Sequence, residues 1–173
     1  TYNAAISACE KGQSWKGALQ LIEEMVLWSG ALPDAITYNA AISACESGNA
    51  WRLALALLGQ MQHRRPAPDM ITYNALISSC EKGWKWRFAL CFMEEMRSHS
   101  FHPDAISFDA AMLACSGSKW QHMLSLFYGM RAADIDPEKA SYGVVCLEYE
   151  QRGLLGCEAK LHQQLGEEKR QER

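Results

Sequence analysis

The string TYNAAISACE occupies residues 1–10 and returns at 37–46, and TYNALISSCE follows at 72–81. A looser copy, SFDAAMLAC, covers 107–115. A repeat of about 35 residues within one short chain is the pattern of stacked supersecondary units, each too small to bury its own apolar surface. Further anchors keep the same step: Trp15, Trp51, Trp86 and Trp120, then Met25, Met61, Met96 and Met130, then Pro33, Pro68, Pro103 and Pro137. The length changes fall between Met25 and Pro33 and between Cys115 and Trp120, where turns belong.

Inside one unit the apolar spacing is helical. Tyr38, Ala41, Ile42 and Cys45 follow the i, i+3, i+4, i+7 pattern, and Trp51, Ala54, Leu55 and Leu58 repeat it after Gly48-Asn49. Each unit is thus expected to be a helix, a turn and a second helix. Gly12, Gly48, Gly83 and Gly117 stand where the first helix stops, as residues able to take the left-handed conformation. The Pro-Asp step ends the second helix, because proline disfavours helical geometry in the residue before it, and Asp can cap the next helix. Leu53 and Leu57 lie off the Trp51 stripe, as do Phe88 and Phe92, so the second helix needs two neighbours.

The expected fold is all-α: a right-handed α–α superhelix, or solenoid, of helix-turn-helix repeats. Four units are read at 1–34, 35–69, 70–104 and 105–138. Residues 139–173 form a degenerate fifth unit or C-terminal cap, with Ser141, Tyr142, Leu161 and Leu165 in register. The chain opens on Thr1 inside a motif that recurs downstream, and so reads as a fragment.

Composition narrows the function. Of 173 residues, 49% are apolar and 21% charged, which suits a folded chain. With 17 basic and 20 acidic side chains the net charge is -3, so no global positive field attracts polyanions. Seven cysteines without a C-x-x-C pair argue for a reducing compartment rather than a disulfide framework. Cys9, Cys45, Cys80 and Cys115 occur once per unit, with helical layers roughly 10 Å apart, too far to converge on a zinc ion; they read as core thiols. The recurrent tryptophans read as core, His99 and His102 as a surface loop, and Glu23-Glu24 and Glu94-Glu95 as solvated faces. Nucleophile, phosphate-loop, metal and cofactor motifs are absent, as is the H-x-E with P-C-x-x-C deaminase signature, which argues against an enzyme.

The tetratricopeptide signature W-x2-L-G-x2-Y is missing. Instead the unit TYNAAISACEKG, a Trp followed by an A-L-x-L helix, then EEM and PD, resembles the pentatricopeptide repeat. This resemblance covers nearly the whole chain. It implies a single-stranded RNA-binding solenoid in which each unit reads one base. The reading residues it implies are the Asn of TYN and the Asp of Pro-Asp: Asn3 with Asp34, Asn39 with Asp69, and Asn74 with Asp104, the combination that favours uracil. In the fourth unit Asp109 and Glu138 take these places, leaving its base open. Ile36, Ile71 and Ile106 match the apolar side chains that stack on bases, whereas Ala140 is a poor wall. Lys11 and Lys82 match the lysines that contact the RNA backbone; Ser47 and Gly117 do not.

An amide that donates and accepts, paired with a carboxylate that only accepts, suits uracil, whose ring N–H lies between two carbonyls. The resemblance further implies work on mitochondrial or plastid transcripts. A helical scaffold for protein partners is the alternative, favoured by the acidic balance and by the two units without the backbone lysine.

Overall fold

The computed structural model describes residues 2–64 and 66–153. Among them nine helices and no strand occur: α1 (Tyr2–Lys11), α2 (Trp15–Trp28), α3 (Ala35–Ser47), α4 (Trp51–Arg64), α5 (Met70–Lys82), α6 (Trp86–Ser98), α7 (Ala105–Cys115), α8 (Trp120–Ala132) and α9 (Lys139–Gln151). Leu161 and Leu165 lie outside the described residues.

The odd-numbered helices stack directly on one another from α1 to α9, while each even-numbered helix packs against its own odd partner and the next odd helix. Consecutive even helices lie farther apart and meet through side chains, Trp51 against Phe88 and Trp86 against His122. One row in contact and one row splayed apart bends the stack into a superhelix with the odd helices on the inner side. The second helix therefore has the two neighbours that its apolar faces demand. Leu57 and Phe92 are buried, whereas Phe88 stays 43% exposed with its ring 5.9 Å from Trp51.

The first helices α3, α5 and α7 are buried over most of their surface, while α1 buries only Ile6. Tyr38, Ala41, Ile42, Ala44 and Cys45 are fully enclosed, as are Leu76, Ile77, Ala111 and Met112 in the later units. Burial pushes the Cys45 and Cys115 thiols up to about 11 and Cys80 up to about 12, so they stay protonated as core groups. Among the described residues no three His, Cys, Asp or Glu side chains are gathered to hold a metal ion. No described helix is long and apolar enough to cross a membrane.

One expectation needs correction. Gly48 and Gly83 end α3 and α5 with φ of -88° and -86°, which any residue adopts. The left-handed residue is the next one: Gln13, Asn49 and Trp84. Of the four glycines only Gly117 takes the positive φ itself, at 76°. What Gly48 and Gly83 supply is space. A Cβ on Gly48 would meet Trp15 Cδ1 at 2.0 Å, and one on Gly83 would meet Trp51 Cδ1 at 2.8 Å. Each half-buried indole thus lies against the end of the next unit's first helix.

Candidate functional site

The Pro-Asp steps begin the site. Asp34, Asp69 and Asp104 hold extended backbone and cap α3, α5 and α7. Each carboxylate accepts from a backbone N–H three residues on, that of Thr37 (2.8 Å), Thr72 (2.8 Å) or Ser107 (2.9 Å). In return the hydroxyl of that residue accepts from the cap's own N–H, completing a capping box at each junction. The Thr37 N–H is the main reason the Asp34 carboxyl is held below its ordinary value; partial burial opposes it, and the neighbouring Thr37 hydroxyl and Asn3 amide add to it.

The asparagines of the preceding unit reach these caps. Asn3, Asn39 and Asn74 are half-buried in the first turns of α1, α3 and α5. Their Nδ2 groups donate to Asp34 Oδ2, Asp69 Oδ1 and Asp104 Oδ2, each at 3.1 Å. Their Oδ1 atoms accept from the hydroxyls of Thr37 (2.7 Å), Thr72 (2.6 Å) and Ser107 (2.5 Å). The pairs read from the sequence are therefore in contact in all three units, and the Asp is a cap and a partner of the amide at once.

The hydroxyl was not anticipated. Thr37, Thr72 and Ser107 are buried and occupy one column of the repeat, a signal visible in the Thr of TYN and the Ser of SFD. The hydroxyl holds the amide oxygen and the carboxylate holds an amide N–H, which fixes the way the amide faces and leaves its second N–H for a ligand. The carboxylate keeps lone pairs for a ligand. Each slot therefore offers one fixed donor beside one fixed acceptor, a narrower offer than a free Asn would make.

The fourth slot differs. Ser141 keeps the hydroxyl position and donates to Asp109 Oδ1 at 2.5 Å, but Glu138 makes no side-chain cap on α9 and is exposed. Burial raises the Asp109 carboxyl above its usual value, the Ser141 bond lowers it, and the charge of Glu138 raises it again. Two carboxylates replace the amide-carboxylate pair, so the ionised slot has no donor.

Ile36, Ile71 and Ile106 stand beside the caps with 62%, 61% and 61% of their surface exposed. Branched apolar side chains this open, in one register and next to a polar slot, are available as walls for a flat ligand. Ala140 is exposed in the matching place. At the other end of the odd helices Lys11 is exposed, whereas Lys82 is paired with Glu46 of the preceding unit at 3.3 Å. Neighbouring Glu81 has its carboxyl raised chiefly by burial; Lys82 opposes the shift and Glu46 adds to it.

The sequence model described as the PPR repeat family matches residues 33–82 and 68–117, and that of the PPR repeat matches residues 1–28. No curated protein matches the chain. Among solved structures, the pentatricopeptide repeat protein PPR10 from maize superposes with a TM-score of 0.73 at 22% identity, over 94% of this chain and 25% of that one. The same protein in complex with an 18-nt psaJ RNA element gives the same values. The PPR domain of Arabidopsis thaliana protein-only RNase P 1, in complex with tRNA, superposes with a TM-score of 0.80 at 16% identity, over 92% of this chain and 84% of that one. The chain thus spans about a quarter of the maize protein's length. At such identities the likeness carries the fold.

Proposed function

From the premise that the chain belongs to the pentatricopeptide repeat family, we propose that its inner groove binds single-stranded RNA, one base per unit. The observation that carries this reading is the threefold recurrence of the Asn-Asp-hydroxyl network beside an exposed isoleucine. Uracil suits the first three slots: its ring N–H donates to Asp34, Asp69 or Asp104, and an adjacent carbonyl accepts from Asn3, Asn39 or Asn74. Ile36, Ile71 and Ile106 supply the stacking walls. Lys11 serves the RNA backbone directly, and Lys82 does so by exchanging Glu46 for phosphate. The frame of the proposal is the division into units 1–34, 35–69, 70–104 and 105–138, with 139–173 as the degenerate end. Masking or presenting a U-rich strand is then the molecular act, in the service of organellar RNA processing or stability.

Binding of the chain to oligo(U), oligo(C) and oligo(A) tests it. A preference for oligo(U) is expected, and equal affinities refute base reading. Asn39→Ser with Asp69 retained is expected to move that slot toward guanine, as the family pattern implies.

A second reading, a scaffold for protein partners, is favoured by the pairing of Lys82 with Glu46 and by the lack of a lysine at Ser47 and Gly117. Salt separates the two. Phosphate contacts give log K a slope of roughly -0.7 per neutralised phosphate against log[salt].

A further inference from the structure

Along the edge where each odd helix turns into an even one, cations lie over the recurrent indoles. Lys16 sits 5.4 Å from the Trp15 ring centroid; Arg52 and Lys85 sit 5.3 and 5.0 Å from Trp51; Arg87 and Lys119 sit 5.2 and 5.5 Å from Trp86; Arg152 sits 5.3 Å from Trp120. The two middle rings each carry one cation from their own unit and one from the next, because Lys85 and Lys119 are the cap residues of α6 and α8. The row is therefore linked from the second unit to the fourth, whereas Trp15 carries only Lys16 because Ala50 stands where Lys85 and Lys119 do.

Its charge is not compensated. Among the described residues Lys16, Arg52, Lys85, Arg87 and Lys119 have no carboxylate partner, whereas Lys82 and Arg152 do. An indole face holds a cation in place through its quadrupole but leaves the charge and the outward N–H groups available. Two cations gathered at one ring repel each other, and a polyanion laid along the row relieves that repulsion. At the opposite edge the caps Asp34, Asp69, Asp104 and Glu138 are acidic, with Arg64 and Arg97 beside them, while Glu46 and Glu81 stand at the ladder end. The odd helices span the two edges. From Asn74 to Lys82 the axial rise is about 12 Å, and Lys85 follows in the turn.

We propose that this tryptophan-cation ladder is a phosphate track, holding the sugar-phosphate backbone of the strand whose bases enter the Asn-Asp slots. The inference rests on the RNA-binding reading and adds to it the line along which the strand lies. Acidic groups at the reading edge repel phosphate and the ladder attracts it, so the polarity across the groove turns bases one way and backbone the other. The net charge of -3 gives no sign of such a row.

The test is a fourfold variant of the 173-residue chain, Arg52→Gln, Lys85→Gln, Arg87→Gln and Lys119→Gln, with helix content and melting monitored. Affinities for oligo(U) and oligo(A) are titrated against salt, beside those of wild type and an Asn39→Ala, Asn74→Ala variant. The ladder variant is expected to bind both oligomers about tenfold or more weakly and to keep the U-over-A ratio. Its salt slope should be shallower by about 0.7 for each phosphate it no longer neutralises. Lys85→Arg and Lys119→Arg, made in place of the two lysine-to-glutamine changes, restore affinity.

Unchanged affinity and slope overturn the ladder while leaving base reading intact. Loss of the U-over-A ratio in the ladder variant overturns it too, since the side chains then act by shaping the slots. If the asparagine variant keeps the ratio while the ladder variant binds more weakly, the track stands and base reading fails. A wild type that binds polyglutamate and neither RNA refutes both.

Discussion

Thr72→Val separates positioning from packing at the second slot. Thr72 is fully buried, and its hydroxyl donates to Asn39 Oδ1 at 2.6 Å while accepting from the Asp69 N–H at 3.1 Å. Valine keeps the shape and removes both bonds, stranding one acceptor and one donor that are partly buried. At about 1 kcal/mol for each group left without a partner, the domain loses about 2 kcal/mol. Freed from its hydroxyl, the Asn39 amide can turn over and present oxygen where the slot needs a donor. Affinity for oligo(U) is expected to fall about tenfold, equivalent to about 1.4 kcal/mol. Thr72→Ser does the opposite: it keeps the hydroxyl, as the third unit does with Ser107, and gives up a buried methyl worth about 1 kcal/mol. Urea denaturation and competition between oligo(U) and oligo(A) read the two effects independently. Thr72→Ser should lower stability and spare selectivity, while Thr72→Val lowers both. If Thr72→Val binds oligo(U) with wild-type selectivity, the hydroxyl does not orient the amide and the reasoning fails.

Gly48→Ala is expected to cost about 1–3 kcal/mol because its Cβ collides with Trp15, whereas Gly59→Ala, open on the surface of α4, should gain about 0.5–1 kcal/mol; chemical denaturation of both checks this. The buried hydroxyl of Tyr38 has no partner among the described residues, so Tyr38→Phe should be neutral or stabilising. Tyr73→Phe should cost about 1 kcal/mol, since its hydroxyl donates to Glu95 at 3.2 Å, and melting temperatures moving the other way round would contradict the assignment. Alkylation at pH 8 followed by peptide mapping should modify exposed Cys91 long before Cys45, Cys80 or Cys115, whose thiols lie at about 11, 12 and 11. Early labelling of Cys80 would show that the first helices do not form a closed core.

What could be read from the chain alone was the local pattern within one unit and the need for such units to stack. The apolar spacing from Tyr38 to Cys45, the cap at Asp69 and the break at Pro68 are each set by neighbours a few residues away, and they appear as helices and capping boxes. What escaped lies between units. Gly48 is needed because an indole one repeat upstream lies against it, a constraint that no local rule for helix ends contains. Lys82 is tied to Glu46 for the same reason. The hydroxyl column of Thr37, Thr72, Ser107 and Ser141 was present as a recurrence, but its role depends on an asparagine, or at Ser141 on Asp109, from the preceding unit. The pairs Asn3 with Asp34, Asn39 with Asp69, and Asn74 with Asp104 came through the family resemblance, and their mutual contact is a feature of the fold.

That contact has a consequence for how such an array is altered. Each amide belongs to one unit, while the carboxylate and hydroxyl that hold it cap the first helix of the next. The groups that face a base are thus also part of the interface that stacks the repeats, and the stability of a solenoid is approximately a sum of unit terms and such neighbour-interface terms. Changing Asn39 alone leaves Thr72 and Asp69 arranged for a partner that is gone, so single substitutions mix a change of ligand preference with a loss of stacking energy. The two parts separate only in a cycle that varies Asn39 and Thr72 together, where non-additivity measures the shared bond. The fourth slot shows the same coupling in a natural variation. Asp109 has replaced the amide and Glu138 has left the cap, but Ser141 still bridges the units through its hydroxyl. The hydroxyl bridge is retained there while the donor is lost, and α9 meets α7 over a much smaller interface than α7 shares with α5, so the change of reading group accompanies a loss of stacking.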